Sequence, residues 1–466
     1  MNELTTWVRR SVCVAVLLAA AGLQGCGSTD GGQEDPAPGG GQNAPAADDY
    51  RHAHVLADGY ELSEDAMTSA SADPSGGWAP EQLQETDNTP DTQQTHSGKK
   101  LAGYGTSTTN STDVVSSGLD LSRGWTPQQL LEAYNVPATG ANNKPAGYGI
   151  KVAIITAYHY SNLQLDLNKW AQQFGVKPIT LNIINQAGVV TNSTMALNTN
   201  TAVQMVNTVS PGATVYVIEA KSVGYNDIYT AIQTAVNLGV NVVLLPFGAD
   251  EFSTQDSKTH LFLNTNIVWI APSGSDMRPS FPATYSGVIA VGGTTLSSVA
   301  PFVETAWAES GAGMSERERM PAFQAIPSVQ AANTTMYRSV PDVAFNADPK
   351  YGAHIYSSTL GGWFLVGGNT VSSAFFAGVV AIANQTRKAQ SEPMLSSSTS
   401  AVDPLQSRLY GLMSTNGGPT NSTILNDVVR GYAGAGAYPA GPGYDIATGL
   451  GSLNVQKFID YIATHR

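Results

Sequence analysis

A three-layer α/β fold, with a central mostly parallel sheet and helices on both faces, is what this sequence predicts, and three observations predict it. Several short segments are almost wholly apolar, as strands covered on both faces must be. Helical stretches alternate with them, the pattern of repeated strand–helix–strand units. The chain of 466 residues is 42% hydrophobic and 13% charged, enough for a substantial core.

The chain begins with an address rather than with a fold. Arg9 and Arg10 precede an apolar run over residues 12–23, and Leu23-Gln24-Gly25-Cys26 follows. That is the organisation of a secretory signal ending at a lipidation cysteine. It resembles the bacterial lipoprotein lipobox, which implies a signal peptide over residues 1–25, cleavage before Cys26, and diacylglycerol on its sulfur. The apolar run is too short to span a bilayer. Cys13 would leave with the signal and Cys26 would be acylated, so neither of the two cysteines remains for a disulfide. The expectation is a lipid-anchored protein of the bacterial cell envelope, on the periplasmic face or the cell surface.

Residues 26–122 are rich in Gly, Ser, Thr, Asp, Gln and Pro, with few apolar clusters. Such a stretch buries too little surface to offset its ordering entropy and reads as a flexible tether, reaching about 50 Å on average. A formal charge of −13 argues against nucleic acid as a partner. The expected oligomeric state is a monomer.

Residues 123–466 form the globular part. Thr126 as N-cap, Pro127 at the first helical position and Gln129 at the third make a capping-box start. A buried strand is predicted over 151–157, helices over 166–174 and 202–209, and a strand over 214–220. A helix over 226–238 carries Ile228, Ile232 and Val236 on one face. Strands over 240–247, 267–271 and 288–291 follow. Residues 365–385 then read as a glycine pair, a run of hydroxyl residues and an apolar helix. In α/β hydrolytic folds a nucleophile sits at such a turn, where backbone amides and the helix dipole face a developing oxyanion.

From about Gly124 onward the chain resembles the sedolisin, or serine-carboxyl peptidase, family, whose fold is subtilisin-like. The resemblance is carried by Thr126-Pro127, Ser210-Pro211-Gly212-Ala213, Phe281-Pro282-Ala283, Val291-Gly292-Gly293-Thr294, Glu304-Thr305-Ala306-Trp307, Pro341-Asp342-Val343, and Gly441-Pro442-Gly443-Tyr444-Asp445 with Thr448-Gly449-Leu450-Gly451. It implies a peptidase architecture in which a Glu removes the proton of a Ser nucleophile, an Asp orients that Glu, and a second Asp stabilises the oxyanion. Counting back from Ala377-Gly378 places the nucleophile at Thr370, with Asn369 before it. Counting back from Pro211 places the Glu at Asn198 and the Asp at Ala202, neighbours one helical turn apart. Neither an amide nor a methyl accepts a proton at a useful pH. Residues 187–218 contain no Asp, Glu or His to take over. The oxyanion position falls at Ser275, or at Asp276 with a slip of one residue.

The edge strand that would hold a substrate reads Leu244-Leu245-Pro246-Phe247-Gly248, where Pro246 removes a backbone donor. A subtilisin-type triad has no Asp at Thr156. The seven histidines are scattered without metal spacing, and His159 is singled out only by its place near the end of the first strand. Ser372 and Ser373 read as helix-start hydroxyls that satisfy backbone amides.

The resemblance also implies a calcium loop: the carboxylates of Asp427 and Asp445 with the carbonyl oxygens of Val428, Gly441 and Gly443. Hard oxygen donors and two negative charges suit Ca2+. The resulting expectation is a catalytically degraded, calcium-stabilised pseudoprotease that binds a peptide or an envelope protein. The alternatives are an endopeptidase that uses Thr370 with Asp276, and a purely structural envelope component.

Overall fold

In a computed structural model, residues 119–465 are described, except 253–254, 265, 275–277, 414–417 and 419–422. The signal peptide, Cys26 and nearly all of the tether lie outside the described residues.

The first helix, α1 (Pro127–Ala133), starts as its sequence dictates. The Thr126 hydroxyl accepts from the Gln129 amide, and Gln129 Oε1 accepts from the Thr126 amide. The central run is β1 (Lys151–Ala157), α2 (Leu163–Phe174), β2 (Asn182–Asn185), α3 (Ser193–Val209), β3 (Thr214–Ala220), α4 (Tyr225–Asn237), β4 (Val242–Leu244), β5 (Val268–Pro272), β6 (Ile289–Ser298) and β7 (Val303–Ala306). After β8 (Gly313–Arg319), α5 (Pro327–Ala332), β9 (Tyr337–Val340), β10 (Val343–Asn346), β11 (Ala353–Ser357) and β12 (Gly362–Val366) come α6 (Asn369–Ala389), α7 (Leu405–Tyr410) and α8 (Val455–Thr464).

The main sheet runs β10-β6-β5-β4-β1-β3-β2 with every neighbouring pair parallel, and β7 adds antiparallel to β6. Side chains alternate across each strand. Val152 and Ile154 of β1 therefore enter one core with α2, α3 and α6, while Ala153 and Ile155 enter the opposite core with Ile228 and Ile232 of α4. This is the three-layer arrangement.

Several boundaries differ from the sequence reading, α2 for example starting at Leu163 rather than 166, and three of the differences have a plain local reason. Helix α3 begins at Ser193, because Asn192 caps it by accepting from the Met195 amide. Its first turns carry buried Asn and Thr, which hide the helical pattern from an apolarity reading. Strand β4 stops at Leu244, since Pro246 has no amide to continue the ladder. Strand β6 runs on to Ser298 because β10 and β7 both pair with it.

Helix α6 is buried at each position from Asn369 to Gln385, as suits a helix apolar all round. Two glycines permit its placement. Gly368, at φ 91°, turns the chain into the helix in a conformation that favours glycine. A Cβ on Gly378 would stand 2.5 Å from Val209 Cβ, so α6 approaches α3 only because that atom is missing.

Candidate functional site

Strands of a parallel sheet deliver their carboxyl ends to one edge, and ligands of such sheets bind there. Helix α3 and the start of α6 meet beside that edge, at Pro246, which follows β4, and at Ser273, which follows β5. Thr370 Oγ1 donates to Asn198 Oδ1 at 2.9 Å across 172 residues of sequence, and Asn198 Nδ2 donates to the Pro246 carbonyl at 2.9 Å. Ala202 lies one turn further along α3. Thr370 and Ala202 are 0% exposed and Asn198 is 1% exposed.

The turn before Thr370 is anchored by an amide. Asn369 Nδ2 donates to the Gly274 carbonyl at 2.9 Å and lies 3.3 Å from Ser310 Oγ. Ser273 Oγ in turn donates to the Gly311 carbonyl at 2.6 Å. Ser275 and Asp276 lie outside the described residues. Ser372 and Ser373 donate to the carbonyls of Asn369 and Thr370, so they satisfy backbone acceptors rather than the amides expected from the sequence. Thr156 shares a 2.6 Å hydrogen bond with Thr199, the residue after Asn198. The group that faces Thr370 is thus an amide carbonyl, with a methyl one turn away. Such a pair can hold a hydroxyl in place but cannot accept its proton.

The edge next to the site is satisfied by the chain itself. The Leu245 amide donates to Ile270, the Phe247 amide donates back to Leu245, and Ala249 exchanges hydrogen bonds with Phe281.

His159 has a partner that sequence reasoning missed. Its Nδ1 lies 2.7 Å from Glu219 Oε2, while Glu219 Oε1 accepts from the Tyr160 amide. Glu219 is 0% exposed at the end of β3, sixty residues away, and nothing local in the sequence signals the pairing.

A second polar centre lies in the C-terminal loops. Asp427 accepts from the Gly443 amide through both carboxylate oxygens, at 3.1 and 2.9 Å. Asp445 Oδ2 accepts from the Gly441 amide, and Oδ1 accepts from the amide and hydroxyl of Thr448. Burial pushes the Asp445 carboxyl up to about 6 against those hydrogen bonds, with Asp427 adding to the rise. Burial also raises Asp427, opposed by the Gly443 amide. Neither carboxylate has an ion pair among the described residues. No three His, Cys, Asp or Glu side chains converge there or elsewhere among the described residues, so an ion held there would also need carbonyl oxygens.

Beneath this loop lies a buried ion pair. Arg338 grips Asp342 through NH1 to Oδ1 at 3.1 Å and NH2 to Oδ2 at 2.8 Å, with both side chains fully buried. The backbone of Asp342 accepts from the Leu450 amide and its Oδ1 accepts from the Tyr410 hydroxyl.

Known proteins similar to this chain agree with the architecture. Sedolisin of Pseudomonas sp. (strain 101) is 33% identical over 207 residues, covering 42% of this chain and 32% of that protein. Kumamolisin of Bacillus sp. (strain MN-32) is 32% identical over 187 residues, covering 37% and 30%. Over about 200 residues the chain is similar to members of the sedolisin family. Tripeptidyl-peptidase 1 of Canis lupus familiaris is 28% identical over 197 residues, covering 40% of this chain and 33% of its own. The sedolisin-family match therefore spans about a third of the length of these curated relatives. A solved structure of Pseudomonas sedolisin, described as a serine-carboxyl proteinase complexed with two molecules of pseudo-iodotyrostatin, superposes with a TM-score of 0.62 at 23% identity. It covers 74% of this chain and 99% of that one, which establishes the subtilisin-like fold. No family model matches the chain.

Proposed function

We propose that this sedolisin-fold chain is a pseudoprotease: a calcium-stabilised, lipid-anchored scaffold of the bacterial envelope that binds a protein or peptide without cleaving it. One observation carries the reading. The hydroxyl at the nucleophile position spends its proton on the Asn198 amide oxygen, with the Ala202 methyl where the orienting acid would stand. Loss of a nucleophile or its base from a catalytic set costs about a millionfold in turnover. Burial adds to this, because a scissile carbonyl cannot reach a side chain with no exposed surface. The self-satisfied edge beyond β4 leaves little for an extended peptide to pair with, so binding through an outer surface fits better than binding in the ancestral cleft.

Calcium is supported by the donor set. Two carboxylates that form no ion pair among the described residues, one of them 7% exposed, meet at a glycine-rich loop whose carbonyls can turn toward an ion. Bound there, the ion would supply charge neutralisation and cross-link the loop. The protein's own contribution is to hold both acids near one another before the ion arrives.

The test is hydrolysis of an unfolded protein and of a mixed peptide library from pH 3 to 8, with and without calcium, by the chain and its Thr370→Ala variant. No turnover by either is expected. Turnover that disappears in the variant would overturn the reading. For the anchor, fatty-acid labelling and membrane sedimentation should both be lost in Cys26→Ala.

A further inference from the structure

We infer that His354 is the latch of an acid-sensitive seam, where the segment of residues 120–125 is fastened to β11, and that protonating its ring opens the seam without unfolding the domain. The inference depends on neither the calcium site nor the lipid anchor.

The seam is held at both of its ends. The Trp125 amide donates to the Gly352 carbonyl at 2.8 Å, Trp125 pairs with Ala353 in parallel, and its indole Nε1 donates to the Leu296 carbonyl at 2.9 Å. His354, the next residue of β11, is 5% exposed. Its ring donates to the Arg123 carbonyl, while its Nε2 is buried with no partner. A neutral ring carries only a lone pair at that second nitrogen. A protonated ring buries an N–H and a positive charge there without an acceptor, which is the costlier arrangement.

The elements packed around the ring offer that charge little relief. The Phe174 ring of α2 lies 6.1 Å from it, centre to centre, and Trp170 Nε1 donates to the His354 carbonyl. Strand β12, which pairs Leu365 with His354, has no charged residue, and neither has α3. On α2, Asp166 is taken up by the Tyr160 hydroxyl, Asn200 and the Ser358 amide, and Lys169 is exposed. The charge that acts on the ring comes from the segment itself: Asp120, which favours the protonated form. Burial outweighs Asp120 and the Arg123 carbonyl together and holds the ring below the ordinary histidine value near 6.5. Once residues 120–125 lift, water reaches the ring and the ordinary value returns, so the open seam binds the proton more tightly than the closed one. Closure is therefore at full strength above that ordinary value and weakens as pH falls through the lowered one.

The experiment is hydrogen exchange of the full chain from pH 7.5 to pH 4.5, read by mass spectrometry as the protection of a peptide that covers Trp125, with the intrinsic rate at each pH divided out. Protection there should fall by up to about tenfold per pH unit, the limit for an opening that takes up one proton, while peptides of β1 and β3 keep theirs. His354→Gln retains a donor for the Arg123 carbonyl but cannot take a proton, so its protection should not vary with pH. Asp120→Asn removes the charge that favours the protonated ring, and the drop between pH 7.5 and pH 4.5 should grow. Protection that ignores pH, that falls equally in β1 and β3, or that falls in His354→Gln as in the unaltered chain would overturn the latch. Should His354→Gln fail to fold, Asp120→Asn decides the matter, and a drop no larger than that of the unaltered chain overturns it.

Discussion

Replacing Thr370 by Val separates a degenerate site from a working one by the sign of a stability change. Valine keeps the branched shape and the methyl, so the substitution removes little besides the hydroxyl. Thr370 Oγ1 donates to Asn198 Oδ1 at 2.9 Å, and both residues are at most 1% exposed. Without that donor the Asn198 oxygen is buried and unpaired, while Nδ2 keeps its bond to the Pro246 carbonyl. A buried acceptor left without a partner costs about 1–3 kcal/mol. The loss should therefore fall in that range in urea unfolding, with the slope of the transition unchanged. In a cycle with Asn198→Ala, the pair should show a coupling of about 0.5–1.5 kcal/mol. Active sites are often held at the expense of stability, so removing a live nucleophile tends to be neutral or stabilising. A neutral or stabilising Thr370→Val would refute the reasoning, because the hydroxyl would then be held for chemistry rather than for packing.

Three further outcomes follow from other parts of the molecule. Arg338→Met strands the fully buried Asp342 carboxylate, and a loss of about 3–5 kcal/mol is expected in urea unfolding. Burial raises the Glu304 carboxyl against hydrogen bonds from Ser452, Thr294 and Tyr134, so the folded state holds that proton more tightly than the unfolded one. Its contribution is then full below the ordinary glutamate value near 4.5 and is lost as pH rises through the raised one. The stability of Glu304→Gln relative to the unaltered chain should accordingly improve between pH 4 and pH 7, measured by urea midpoints. Calcium at about a hundred times its dissociation constant should stabilise the chain by about 2.7 kcal/mol in thermal unfolding. Asp445→Asn should abolish that increment.

Much of the central sheet was legible because its signals are local. Lys151–Ala157 and Thr214–Ala220 are largely apolar, rich in β-branched residues, and appear as strands with those bounds. The Thr126 capping box is complete within four residues of sequence. The strands from β9 to β12 were not legible, because four- and five-residue pieces carry too little pattern, and neither was β8. The segment Gly313–Arg319 is largely charged and reads as loop. It pairs with β9 at its two ends, with an irregular stretch between. Counting from motifs placed Asn198 and Thr370, which the fold brings within one hydrogen bond. No motif led to Glu219, which is found through His159 once β1 and β3 are neighbours.

If the site is degenerate as proposed, the elements that carry it are also the elements that build the core, which gives a physical reason for the fold to outlast its chemistry. Helix α6 begins at the nucleophile position and then runs buried through the molecule, and α3 carries the base position on a helix buried from Met195 to Val209. The two helices touch closely enough that Gly378 has no room for a Cβ against Val209. Deleting either helix would remove much of one face of the sheet. On the pseudoprotease reading, replacing an acid by the amide of Asn198 or the methyl of Ala202 leaves the helices in place and removes a charge that is costly to bury there. Once selection for cleavage is relaxed, the same burial that tuned the catalytic acids favours their replacement by neutral side chains. On that account, returning Glu to position 198 and Asp to position 202 should each destabilise the chain, with the larger loss at 202, where the methyl has no hydrogen-bonding role to inherit. Urea unfolding of Asn198→Glu and Ala202→Asp measures this directly, and a stabilised variant of either kind would contradict it.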